Sequence, residues 1–143
     1  MKPELWALCT AVCWAAGSFF EKKGVKLGNL TPVTGTTIRT TVSLVVLLAL
    51  SFPYWGELKK AGPKSLIMIA LGGGVLAGAL GLICLYSGLK DGRISTVLTI
   101  AFCLTPVFGT VLGLLVFKEH LSLLQYAGIC LCILGAALSV YAK

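Results

Sequence analysis

The chain has 143 residues, of which 57% are hydrophobic and 12% charged, against roughly 25% charged in an average soluble domain. That balance excludes a water-soluble enzyme of this size. The net charge of +7 would suggest a nucleic-acid partner on a soluble chain, but here the cations sit between apolar stretches, as in membrane proteins, so no nucleic-acid binding is expected.

No Asp, Glu, Lys or Arg occurs in 5–20, 40–56, 65–89, 94–117 or 121–142. Crossing ~30 Å of hydrocarbon takes ~20 helical residues, and each interval is close to that length. The expected fold is an all-α membrane protein: one domain over 1–143 with five transmembrane helices near 3–21, 32–54, 65–89, 94–117 and 122–142. The first begins beside Met1 without a cleavage site or a polar mature region, which predicts a retained helix rather than a signal peptide. The connections Glu21–Thr31, Trp55–Lys64, Lys90–Arg93 and Lys118–Leu121 are short, so neighbouring helices should run antiparallel and pack directly.

In the first span Trp14 shares a face with Thr10 and Gly17, where an aromatic ring either packs or contacts a ligand. The second span carries Arg39 about seven residues in, roughly 10 Å deep at helical rise, where a charge is costly and usually functional. Thr36, Arg39 and Ser43 fall on one face. Three readings of Arg39 stay open: it snorkels to the surface, it pairs with Glu21, or it meets an anionic group of a substrate. The third span contains the small-xxx-small pair Gly74 and Gly78, extended by Gly81, a spacing that predicts close helix packing in lipid.

The fourth span has a second such pair, Gly109 and Gly113, and a polar row of Ser95, Thr99, Cys103, Pro106 and Thr110 at helical spacing. A proline inside a membrane helix frees a backbone carbonyl, and such breaks often line transport cavities. In the following turn Glu119 precedes Ser122 by three residues, a capping arrangement in reverse order that predicts a structural role, and His120 is expected to be solvated. The last span places Gly128, Cys132, Gly135 and Ser139 on one face. Tyr54, Trp55 and Tyr141 fit an interfacial aromatic belt.

The cysteines at 9, 13, 84, 103, 130 and 132 all lie within apolar stretches, where thiols behave as small hydrophobes. Their spacing gives no metal signature, and no metal or other cofactor is expected. Nor can a Ser/His/Asp or Cys/His constellation be assembled. Glu4, Glu21, Glu57, Asp91 and Glu119 all fall at or near span ends, so no catalytic carboxylate pair forms and no catalytic residue is assigned.

An odd number of spans puts the termini on opposite sides. Lys2, Lys59, Lys60, Lys64 and Lys118 then face one side, and Lys22, Lys23, Lys26, Lys90, Arg93 and Lys143 the other. With so small a difference, the positive-inside rule specifies orientation weakly.

The stretch YSGLKDGRISTVLTIAFCLTPVFGTVLGLLVFKEHLSLLQYAGICLCILGAALSVY resembles the EamA-type domain of the drug/metabolite transporter superfamily. The resemblance rests on Gly88 through Gly92, Pro106, Glu119, Ser122, Gly128 and Gly135. The earlier half agrees more loosely through Trp14, Gly17, Lys22 or Lys23, and Arg39, and Ala15 stands where the family often has glycine after the tryptophan. Members usually carry two five-helix units in opposite orientation, so the resemblance implies a dimer, either an antiparallel homodimer or a pair with a paralogous chain. It further implies a multi-pass protein of the prokaryotic inner (plasma) membrane, a secondary transporter moving a small polar metabolite or amphiphile by alternating access. The substrate would meet Trp14, Arg39, Ser43, Ser95, Thr99, Cys103 and Pro106. A proton-coupled small multidrug exporter and a non-transporting subunit, such as half of a lipid-carrier flippase, are the alternatives.

Overall fold

The computed structural model describes residues 3–118 and 120–141, without the side chains of residues 3, 4, 58 and 59. Every element among them is helical. Four helices are long and apolar enough to cross a membrane: Pro32–Tyr54, Pro63–Asp91, Ile94–Phe117 and Leu123–Tyr141. Large apolar side chains such as Leu44, Leu71, Phe108 and Leu131 are exposed along them, the surface an apolar solvent requires. The protein is thus an integral, multi-pass membrane protein.

The helix α1, Pro3–Leu27, runs six residues past the expected end of the first span at 21, and it is not among those four. Its last two turns carry Glu21, Lys22, Lys23 and Lys26, which lower its mean hydropathy without interrupting the helix. The stop comes later and is conformational. Asn29 adopts the left-handed region at φ 45°, Leu30 N–H donates to Val25 O at 3.0 Å and Asn29 N–H to Lys26 O at 3.3 Å, a Schellman closure. α2, Pro32–Ser51, starts at once: Pro32 occupies its first turn and Thr31 is extended, its hydroxyl accepting from Thr34 N–H at 3.2 Å, a standard N-cap.

Residues Phe52–Tyr54 form a tight turn and Gly56–Lys60 a short helix, α3. α4, Pro63–Ile69, passes without a break into a wide-turned π stretch, Ala70–Gly81, and then into α5, Leu82–Asp91. Bonding i to i+5 widens the turn and changes which residues stack. A Cβ on Gly78 would lie 2.7 Å from Gly73 O, and one on Gly81 3.3 Å from Leu76 O, both five residues back, whereas one on Gly74 would meet nothing within 4 Å. Neither Gly74 nor Gly78 makes a close approach to another helix among the described residues.

The chain divides into two compact units, residues 1–91 and 92–143. In the first, α1, α2 and α5 pack on one another, and Val25, Leu82, Tyr86 and Leu89 are buried there. Gly35 of α2 is the closest approach: a Cβ would fall 2.8 Å from the Tyr86 ring, so only glycine admits that ring.

The second unit is the pair α6, Ile94–Leu112, and α7, Leu123–Tyr141. α6 stays helical through Pro106, and Thr105 Oγ1 donates to Ala101 O at 2.7 Å just before it. A second wide stretch, Gly113–Phe117, ends at Lys118, left-handed at φ 53°. α7 begins with a capping box: Ser122 N–H donates to Gln125 Oε1 at 2.7 Å and Gln125 N–H to Ser122 Oγ at 3.3 Å. The capping pair is thus Ser122 with Gln125; Glu119, expected to serve this turn, lies outside the described residues. Gly109, Gly128 and Gly135 have nothing within 4 Å of an added Cβ, so these expected contact glycines make no close approach here, while Gly113 is buried.

Candidate functional site

Glu21 is extended from α1 toward α2 because α1 does not end at its charged residues. Its Oε1 sits 2.8 Å from Arg39 Nε, with the two side chains 17% and 31% exposed respectively. Of the three readings of Arg39, the structure shows the ion pair with Glu21. Charge-assisted contacts of this length are the stronger kind of hydrogen bond.

Two aromatic residues complete the cluster. The Arg39 guanidinium carbon lies 5.7 Å from the centre of the Trp14 ring, within cation–π range. From α5, Tyr86 lines the same cavity as Glu21 and Arg39. Its ring is held against Gly35, so the same backbone contact that packs α5 on α2 also aims the phenol. The ion pair ties α1 to α2, and the Gly35–Tyr86 contact sets α5 beside it.

Small cavities flank the pair. One, of about 170 Å³, is walled by Gly24, Gly35, Ile38 and Tyr86, the other, of about 160 Å³, by Cys13, Trp14, Gly17 and Ser18, and Glu21 and Arg39 belong to both walls. Ser18 and Thr36, each one helical turn before a charged partner, are buried at 3% and 6% exposure. Among the described residues, the buried Thr36 Oγ1 finds no hydrogen-bond partner, an arrangement that costs free energy unless something else supplies one.

Of the expected substrate residues, Trp14 and Arg39 are brought together here. Ser43 is exposed and outside both walls. The second unit has its own cavity of about 390 Å³, lined by Arg93, Thr96, Val97, Ile100 and Ser139 among others. Ser95 and Thr99, each one residue from this lining, do not belong to it, and Ser95 and Pro106 are exposed. Cys103 of α6 and Cys132 of α7 are both half-buried. Glu21, Tyr86, Ser18 and Gly35 are the residues that helical spacing missed. Glu21 was visible as a possible partner, but Tyr86 lies beyond a wide-turned stretch that counting by 3.6 does not cross correctly.

The EamA-like transporter family model matches residues 1–141. No curated protein and no solved structure matches the chain.

Proposed function

Because the chain belongs to the EamA-like transporter family, and so to membrane transporters of the drug/metabolite type, we propose that it is a secondary transporter. It moves a small polar metabolite or amphiphile by alternating access and works as a dimer, with Trp14 and Arg39 in its substrate site. The observation that carries the reading is the Glu21–Arg39 pair, set between two cavities inside a membrane protein. Ionisable groups at such positions are expensive and mark substrate or ion pathways. Transporters of inverted-repeat architecture hold substrate where helices from the repeats meet, and the nearly even count of loop cations supports a unit that inserts in both orientations.

In this reading α1 is the fifth span. Its charged end stays within the membrane because Glu21 and Arg39 neutralise one another, while Lys22, Lys23 and Lys26 mark the interface. Trp14 offers an aromatic face and Arg39 a planar donor fork, a pairing suited to a carboxylate or phosphate group on an otherwise compact solute.

Reconstitution into liposomes with a panel of anionic, zwitterionic and neutral metabolites is the direct test. Uptake of at least one class above protein-free vesicles, reduced by Arg39→Gln at matched protein level, is expected. A folded protein that moves none of them is instead a non-transporting subunit. Two lysines added beside Lys143 should bias orientation and lower activity if opposed copies are needed; unchanged activity in a single orientation removes the opposed dimer.

A further inference from the structure

We propose that Glu21 is an internal ligand that occupies the anion-binding face of Arg39, and that a small oxyanion must displace it to bind. The proposal rests on the transporter reading and deepens it by naming how its site opens. Arg39 already has a carboxylate at 2.8 Å, so an incoming carboxylate offers the guanidinium no new kind of contact. Added beside Glu21, it would leave the half-buried site with a net negative charge, which is costly away from water; exchange avoids that.

The geometry allows that exchange because the pair stands in the walls of both cavities. The cavity with Trp14 and Ser18 takes the ligand, whose oxygens meet Arg39 and whose apolar part lies on the indole. The cavity with Tyr86, whose wall Glu21 already shares, takes the retreating Glu21. At ~30 Å³ per liquid water, cavities of about 160 and 170 Å³ suit a ligand of a few heavy atoms. A short monocarboxylate fits this description.

Charge decides what accompanies the exchange. Once Glu21 leaves Arg39, the groups facing it are Arg39 of α2, now neutralised by the ligand, the neutral Tyr86 of α5, and the Cys13 thiol of its own helix, with Lys22 as its chain neighbour. A carboxylate deprived of its cation in a half-buried site, with a second anion close by, takes up a proton. The balance is simple: one oxyanion binds, Glu21 changes from carboxylate to carboxylic acid with one proton from water, and the net charge of the site is unchanged. By linkage, the anion binds more tightly as pH falls, with a limiting slope of about tenfold per pH unit for one proton.

Butyrate and its neutral isostere butyramide serve as probes, read by Trp14 fluorescence in full-length protein carrying Trp6→Phe and Trp55→Phe. Butyrate should bind saturably, more tightly at about pH 5.5 than at about pH 7.5 by up to the linkage limit of about tenfold per unit, and butyramide should not bind. Glu21→Gln removes the competitor, so it should bind butyrate at the higher pH as tightly as the parent does at the lower one, with the pH dependence lost. In weakly buffered solution the parent should take up about one proton per butyrate bound, a measurement that needs no Glu21 variant and stands even where that variant fails to fold. Absence of butyrate binding, binding without proton uptake, or a folded Glu21→Gln that binds no more tightly overturns the proposal. If liposome transport persists through any of those results, the transporter reading stands and only the exchange at Glu21 falls; absence of transport for every metabolite removes the transporter reading instead.

Discussion

Between α1 and α2 the decisive polar contacts run from helix to helix, whereas in α6 and α7 the hydroxyls turn back onto their own backbone. Thr105 and Ser139 each donate to a carbonyl four residues earlier, Ala101 O and Gly135 O, at 2.7 and 2.9 Å. Thr37 and Thr41 of α2 do the same with Val33 O and Thr37 O, both at 2.9 Å. What separates the two units is therefore charge. A hydroxyl in apolar surroundings is satisfied by the helix that carries it, but a guanidinium has no acceptor of that kind within reach and must recruit a neighbour. Arg39 recruits Glu21, and no such ion pair joins the helices of the second unit among the described residues.

The largest effect should come from filling the closest approach in the first unit. Gly35→Val drives a branched side chain into the Tyr86 ring, and overpacking of this kind costs typically about 1–3 kcal/mol. The same change at Gly109 or Gly128, where an added Cβ meets nothing, should leave stability unchanged. Thermal unfolding followed by size-exclusion fluorescence separates these outcomes. A Gly128→Val protein that stays folded as a single chain but loses self-association would instead mark that face as buried by a second copy.

Next come the charges. Arg39→Gln and Glu21→Gln each leave one half-buried charge without its partner, which should lower stability by about 1–2 kcal/mol, less than for a fully buried pair. The double replacement should recover part of that loss. If the three variants melt together, the tie between α1 and α2 contributes nothing.

A smaller effect is expected at the start of α7. Ser122→Ala removes both a donor to Gln125 and the acceptor for its backbone N–H, and cap losses of this sort are worth about 1 kcal/mol. Smallest of all, Ser139→Ala, which gives up one hydroxyl bond to its own helix, should change the melting point within error, at roughly 0.5 kcal/mol or less. A larger loss would mean that Ser139 takes part in the cavity it lines rather than in its helix alone.

The helix positions were legible because a bilayer imposes length and charge rules that a sequence displays openly; the interval 94–117 reappears as the helix Ile94–Phe117. Ends were less so. Charges at 21–23 suggested a boundary for the first span, yet the conformational stop at Asn29 decides where the helix finishes. The Ser122 and Gln125 spacing is a readable capping box, overshadowed by the more conspicuous Glu119. At the candidate site, Arg39 stood out by depth, but its choice among three roles depends on how far α1 extends and on which way Glu21 faces, and hydropathy carries neither. The row of Ser95, Thr99 and Cys103 has the right period and still differs from the lining Thr96, Val97 and Ile100, since rotation about the helix axis is set by packing against α7.

The wide-turned stretch Ala70–Gly81 acts like a change of pitch in the middle of a screw. On either side, stepping by three or four residues returns to the same face; across it, the matching step is four or five, so a residue such as Leu66 and a residue such as Tyr86 cannot be aligned by one constant rule. The angular position at which Tyr86 reaches Gly35 and Glu21 is accordingly set by how many coarse threads precede it. Residues remote from the ion pair, with no side chain near it, thereby determine which face of α5 looks toward it.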